Sequence, residues 1–472
     1  VDNSTLKKGA HFIAVDKVLP QGRLVFSATG PVNRDYDDVR RYSEAAEAGI
    51  NRALATGSKK ILLVVAPSNY ARADLVSLLG AMSVLYVSIE VRKSGMEPKA
   101  ELLGYYSPHE EQGQKLVDVA VALESGRTVA RDISSGSPTY MTPPVAAKYV
   151  QDMLDKNEQV KIQIIKDQKW IADNYPIMEA ASRAVNMVPR FESRVVKLEY
   201  TGEGPVEQTL MIVGKGVTFD TGGLNLKSSS SMLGMHRDKG GAAAVAGFFK
   251  VLSLLKPKGL KVIGTLPFVR NGVGPEATTC DEVIKARSGK RLRIVNTDAE
   301  GRMIMVDPLC EMKEQAGNET NPQLMTIATL TGHAFIAAGD GYSIVLSNKV
   351  AERKNLTREI AESGDTMGEP FEMSQLRRDE YERHFTKLDY EDLLQAHKDP
   401  SSRTQRGHQI GPAFLILGSG LSEHGIDSDN PIPYTHIDIA ASDSDMSEIY
   451  GGRPMGVPVL ALSKQFILPR VE

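Results

Sequence analysis

Leu292-Arg293-Ile294-Val295-Asn296-Thr297-Asp298-Ala299-Glu300-Gly301-Arg302 is the stretch on which the reading of this chain turns. Leu292, Ile294 and Val295 give it an apolar, strand-like lead-in, and Gly301 releases the chain into a helix. At a strand end, residues i and i+2 share a face, so Asp298 and Glu300 are expected to converge on one spot. Two carboxylates on one face repel unless a cation or a shared proton relieves them. An acidic strand end in solvent would carry the same pair, so the pair alone decides nothing.

A second acidic cluster lies upstream. Leu210–Val213 reads as a short apolar strand running into Gly214-Lys215-Gly216-Val217-Thr218-Phe219-Asp220-Thr221-Gly222-Gly223, where glycines permit a close backbone approach to a bound group. Lys227 follows, and then Asp238, directly before Lys239 and the small-residue run Gly240–Ala244 that opens an apolar helix, Val245 to Leu255. Asp220, Asp238, Asp298 and Glu300 thus fall at element ends or in glycine-rich turns, where open α/β sheets build their sites. Four acids without a Cys or His quartet suggest oxygen-rich ligation of a two-metal centre, whose ions sit roughly 3.5–4 Å apart. Oxygen ligands alone favour magnesium or manganese over zinc. Lys215 complicates that choice, since an amine binds a metal only when deprotonated. A phosphate-binding loop is the competing reading of the glycine-lysine segment, but GxxxxGK[ST] is absent, and Asp220 would repel a phosphate with no metal between them.

Four segments in order, Val213–Lys227, Arg237–Ala244, Asn296–Arg302 and Ala328–Gly332, resemble the leucyl aminopeptidase family of dinuclear metallo-exopeptidases. The likeness runs from about Thr139 to the C-terminus. It implies that Asp220 and Glu300 bridge two divalent ions (zinc, manganese or magnesium), that Lys215 and Asp238 complete one shell, and that Asp298 completes the other. It makes Lys227 and Arg302 the catalytic pair, with Arg302 holding a bicarbonate ion that handles the proton. Met235, Thr329, Leu330, Gly332 and His333 fall at the substrate pocket, with Leu330 contributing a carbonyl. The resemblance also implies a homohexamer whose C-terminal domains meet at the centre, acting in the cytoplasm on peptides with a free N-terminus.

The residue types suit that chemistry independently. Peptide hydrolysis at neutral pH needs a nucleophile stronger than water, which metal activation to hydroxide supplies. Lys227, if charged, would stabilise the developing oxyanion. Arg302 stays protonated and cannot be a base, whereas its forked donors suit a planar anion. Composition agrees without implying any of this: 41% hydrophobic and 24% charged residues are globular values. A net charge of -3 gives no general pull toward nucleic acid or an anionic membrane, and no apolar run is long enough to span one. Two cysteines, Cys280 and Cys310, read as reduced thiols.

With 472 residues, two α/β domains are expected: a smaller one over 1–130 that ends in a charged linker helix, and a larger catalytic one over 131–472 with a mixed central sheet. In the first, Leu24–Ser27 and Lys60–Ala66 read as strands, the latter buried, and Tyr36–Ala55 and Leu75–Val87 as helices. Glu110–Ile133 is the linker helix. His11, His109, His384, His397, His408 and His424 lack ligand spacing and read as surface or loop residues, while His436 reads as packed near the sheet. Against the family, His333 replaces a small residue and Lys239 a methionine; Arg270 stands where many relatives carry glutamate, and Gly456-Val457-Pro458 replaces a glycine-arginine-proline. His333 is expected to narrow the pocket, and Lys239 to add charge beside Asp238 or else to be solvated. The expected function is a metal-dependent aminopeptidase. The alternatives are a low-activity family member with a structural or interaction role and a metal-dependent phosphohydrolase, which the combined motifs disfavour.

Overall fold

Two strands with alternating allegiance set the architecture. Leu210 and Ile212 point into one apolar core while Met211 and Val213 point into another. Downstream, Met325 and Ile327 join the first core, and Leu324 and Ala328 the second. Strand side chains alternate between faces, so both strands must be covered on both sides. Helices Glu110–Ser135 and Gly240–Leu255 cover the first face; Pro176–Asn186, Glu300–Ala316 and Gly407–Gly418 cover the second.

The structure, a computed structural model, describes residues 9–15, 18–19, 21–154, 159–397, 404–445 and 452–471. Its strands are β1 (Ala10–Ala14), β2 (Arg23–Ser27), β3 (Lys60–Leu63), β4 (Leu102–Tyr105), β5 (Val160–Ile165), β6 (Arg194–Thr201), β7 (Gln208–Gly214) and β8 (Gly216–Asp220). Then follow β9 (Leu260–Asn271), β10 (Val283–Lys285), β11 (Arg291–Arg293), β12 (Pro322–Ala328), β13 (Ser343–Ser347), β14 (Phe371–Met373), β15 (Leu393–Leu394) and β16 (Tyr434–Asp438). Nine of them form one sheet in the order β14-β13-β16-β12-β7-β9-β6-β5, with β8 also on β9. The run β16-β12-β7-β9 is parallel, and antiparallel pairs flank it at β13-β16 and at β9-β6-β5. The expected mixed sheet is therefore present, and the C-terminal ends of its parallel strands face the acidic residues.

Three expectations need correction. The Lys60–Ala66 run is strand only to Leu63 and is not buried: Leu62 is 64% exposed, because among the described residues β3 pairs with β4 alone and only one face packs on helices. The helix expected from Tyr36 begins at Arg40. The acidic segment does not end a strand either. Strand β11 stops at Arg293 and the helix begins at Glu300 itself, so Asp298 lies in a turn. What brings Asp298 and Glu300 together is that turn, not the strand pleat.

Candidate metal centre

Lys215 interrupts the chain between β7 and β8. Its N–H donates to the Ile327 carbonyl at 2.9 Å, and its own carbonyl accepts from Ala242 N at 2.7 Å. Two helix starts press close to it, which requires glycine. A Cβ on Gly241 would stand 2.0 Å from the Ile327 oxygen, and one on Gly301 would stand 2.5 Å from Lys215 Cε. Those helix starts carry Asp238, just before Gly240, and Glu300, at the first turn, where backbone dipoles favour negative charge.

The ammonium of Lys215 meets Asp238 Oδ1 at 2.6 Å, Glu300 Oε1 at 2.9 Å and the Thr329 carbonyl at 3.0 Å. Thr329 also donates its hydroxyl to Asp238 Oδ1 at 2.8 Å. Lys227 bridges Asp220 Oδ2 at 2.9 Å and Asp298 Oδ1 at 2.6 Å. One oxygen each from Asp220, Asp238 and Glu300 lies within 4.8 Å of the others. Asp238 Oδ2 and Glu300 Oε2 are buried and accept no hydrogen bond among the described residues. Four carboxylates thus face two ammonium groups, with acceptor oxygens left over.

The protonation of the group follows from that crowding. Burial and then repulsion from Glu300 push Asp220 up to about 7. Burial likewise raises Asp238 and Asp298. Burial opposes the charge on Lys215 and Lys227, but their carboxylate neighbours outweigh it and hold both above the ordinary lysine range. Glu300 goes the other way, because the two lysines outweigh its burial and keep it ionised. An uneven set of acids, with unmatched oxygens at the floor of a cleft, fits divalent cations.

That floor belongs to a cavity of about 540 Å³. Lys215, Asp220, Lys227, Asp238, Asp298, Glu300, Arg302, Met235, Thr329, Leu330, Gly332 and His333 all line it, so every candidate position from the sequence is brought to one place. Arg302 is 6% exposed and donates from Nη1 to the Gln395 carbonyl at 3.3 Å.

Several supporting residues escaped the sequence reading. Asn271 donates to Asp220 Oδ1 at 2.7 Å. Thr297 and Asn225 tie the acidic turn to the loop carrying Lys227: Asn225 N meets Thr297 Oγ1, and Thr297 N meets Asn225 Oδ1, each at 2.8 Å. Asp438, at the end of β16, accepts from Leu330 N at 3.0 Å and from the Thr331 hydroxyl at 2.8 Å, fixing the turn that presents Thr329. The acid inside His436–Ala440 is the sequence signal for Asp438.

The neighbours that depart from the resembled pattern resolve unevenly. Lys239 is neither solvated nor aimed at the acids: it is 0% exposed and donates to the Gly136 carbonyl at 3.0 Å and to the His236 carbonyl. His333 is half-buried against Gly407, where an added Cβ would lie 2.4 Å from the ring. Arg270 stacks over Phe191 and Phe219, at 4.3 and 5.1 Å from the ring centroids. His384 is not a surface residue. It is 0% exposed, and its ring nitrogens meet the Leu394 and Ile410 carbonyls at 2.8 and 3.0 Å. His397 lines the cavity, and His408 is half-buried on Ser374. His436 is buried on Thr326, as expected.

A family model described as the cytosol aminopeptidase family, catalytic domain, matches residues 128–463. The Caenorhabditis elegans protein W07G4.4, provisionally named an aminopeptidase, is 42% identical over 456 residues, which is 96% of this chain and 86% of that protein. A provisionally named cytosol aminopeptidase of Hydrogenovibrio crunogenus is 33% identical over 257 residues, 54% of this chain and 50% of its own length. Among solved structures, the bottromycin maturation enzyme BotP in complex with Mn aligns with a TM-score of 0.79 at 23% identity, covering 96% of this chain and 92% of that one. At that identity the likeness is one of fold.

Proposed function

The chain belongs to the cytosol aminopeptidase family, and on that premise we propose that it is a metal-dependent aminopeptidase removing single residues from peptides with a free N-terminus. The observation that carries the proposal is the set of Asp220, Asp238 and Glu300 oxygens, gathered within 4.8 Å, with Asp238 Oδ2 and Glu300 Oε2 accepting no hydrogen bond among the described residues, beside Lys227 on a cavity floor.

In this reading Asp220 and Glu300 would bridge two divalent ions, Lys215 and Asp238 would complete one shell, and Asp298 the other. Bound there, the ions would lower the pKa of water and polarise the scissile carbonyl. Lys215 fits only as the neutral amine, so its ammonium proton must leave as cations enter. Lys227, already charged and 14% exposed at its side chain, is placed to donate to an oxyanion at the cavity floor. Arg302 remains a fork of donors; its Nε has no partner among the described residues, which suits a planar anion such as bicarbonate. Met235, Thr329, Leu330, Gly332 and His333 would receive the substrate's first side chain. The substrate's α-amine, drawn to the acidic floor, would restrict cleavage to the N-terminus.

The same reading takes 1–130 as a smaller domain and 131–472 as the catalytic one, since every cavity-lining residue lies beyond position 214. It also takes the assembly as a homohexamer, which light scattering would contradict by showing a stable monomer at micromolar concentration. Among the described residues no helix is long and apolar enough to cross a membrane, and a cytoplasmic location belongs to the proposal. Zinc is favoured by the family and manganese or magnesium by the oxygen-rich donor set.

The deciding experiment is hydrolysis of aminoacyl amides and dipeptides by metal-loaded protein beside an Asp298→Ala control. Activity that a strong chelator abolishes, and that zinc, manganese or cobalt restores, is the expected result. A folded, metal-loaded protein that cleaves none of the panel would instead be a scaffold member of the family.

A further inference from the structure

We propose that Gln395 is the positioning residue that holds the acidic turn in its working shape; this rests on reading that turn as metal-binding. Between Arg293, the last residue of β11, and Glu300, the first of its helix, the chain has no regular ladder. Buried peptide groups there still need partners. Gln395, 0% exposed and directly after β15, supplies them from about a hundred positions away in sequence. Its Oε1 accepts from Val295 N at 3.2 Å and Asn296 N at 3.1 Å. Its Nε2 donates to the Asn296 carbonyl at 2.9 Å and the Ala299 carbonyl at 3.0 Å.

Those four bonds exhaust what a primary amide can make. They close on both sides of Asp298 and stop one residue short of Glu300. The main chain of Gln395 extends the hold: its N–H donates to the Arg293 carbonyl at 2.8 Å, and its carbonyl accepts from Arg302 Nη1. One residue thus touches the turn before the two acids and between them, and also the arginine that follows them.

The chemistry admits no other side chain. A carboxylate could keep the two N–H partners but would confront two carbonyl oxygens; an ammonium would do the reverse. Asparagine offers the right groups but is one methylene too short to span the turn. Gln395 is not among the residues that line the cavity; it acts through Asp298, Glu300 and Arg302.

The test compares Gln395→Glu and Gln395→Ala with the parent protein by amide hydrogen exchange, manganese and zinc titration, and kinetics on a leucyl amide. In Gln395→Ala the Val295 and Asn296 amides should lose protection while β7 keeps its own. Affinity for the ions should fall by about 10–100-fold, the range for outer-shell losses, and kcat should fall with KM nearly unchanged. Gln395→Glu should keep the two amides protected yet lose metal affinity. Variants that deprotect the turn but bind both ions within about threefold of the parent would reduce Gln395 to a stabilising residue and overturn the proposal, as would unchanged protection in Gln395→Ala. Should the parent itself bind no ion and cleave nothing, the functional reading fails, and the exchange data alone then decide whether Gln395 shapes the turn.

Discussion

Asp132 and Glu300 are both carboxylates withdrawn from solvent, 1% and 2% exposed, yet their surroundings differ in kind. Asp132 Oδ1 accepts from the Tyr86 hydroxyl at 3.0 Å, while Oδ2 accepts from the Tyr149 hydroxyl at 2.6 Å and from Arg92 Nη2. Burial and the charge of Asp132 push both phenols above their usual range, so they remain donors. One acid there has three donors. Around Glu300, four acids share two lysines, and one of its own oxygens receives no hydrogen bond among the described residues. The first arrangement is complete without any ligand, whereas the second leaves acceptor oxygens that a cation or a shared proton would satisfy. Buried charge therefore marks function only where its accounts do not balance.

The comparison breaks most visibly at Glu300. Glu300→Ala should lose bound metal as well as turnover, and because outer-shell losses alone cost about 10–100-fold, a bridging ligand should exceed that range. Elemental analysis showing unchanged metal content in the variant would remove Glu300 from the bridge. Lys227→Ala should keep both ions and most of the substrate affinity but drop kcat by about 10²–10³, the loss seen when an oxyanion donor is removed.

Asp132→Ala probes the balanced side. It should cost about 1–3 kcal/mol of stability, as donors lose their buried acceptor, with kcat/KM of the folded protein unchanged. A catalytic defect at full stability would show that the two clusters are not independent.

Histidine burial offers a gentler test. Burial lowers His436 from 6.5 to about 3, so the unfolded chain binds the extra proton first as pH falls. Its contribution is complete above pH 6.5 and is lost progressively toward pH 3, at about 1.4 kcal/mol per pH unit. His436→Gln should flatten the pH dependence of unfolding between pH 6.5 and 5; an unaltered slope in urea titrations would refute the assignment.

The smallest effect is expected at the pocket wall. His333→Ala should widen acceptance among glycyl, alanyl, leucyl and arginyl amides. If every kcat/KM stays within about threefold, roughly 0.65 kcal/mol, the wall does not select.

These regions also differ in how legible they were. Asp220, Asp238, Asp298 and Glu300 could be picked out because they fall at element ends or in glycine-rich turns, whereas the roles of Lys215, Lys227 and Arg302 came from the resemblance of the surrounding motifs. The central strand at Leu210–Val213 was equally plain, since it is an apolar run buried on both faces. Strand β3 misled because an apolar run looks the same whether one face or two are covered. Asn271 and Gln395 left no local trace, and Asp438 left only an acid in an apolar run. Each acts by hydrogen bonds across tens of residues or more, and such partners follow no periodicity. The convergence of Asp298 and Glu300 was anticipated for the wrong reason, because a strand and a hydrogen-bonded turn can present the same two side chains.

The span of the site in sequence has a consequence for the growing chain. Lys215 needs Thr329, Arg302 needs Gln395, and the turn at Leu330 needs Asp438. Chains emerge N-terminus first at about 5–20 residues per second, so the acids near 220 and 300 are exposed for many seconds before their last supports are made. No shorter product can hold the complete cleft. A cleft built this way is complete only when its last contributing strand is laid into the sheet.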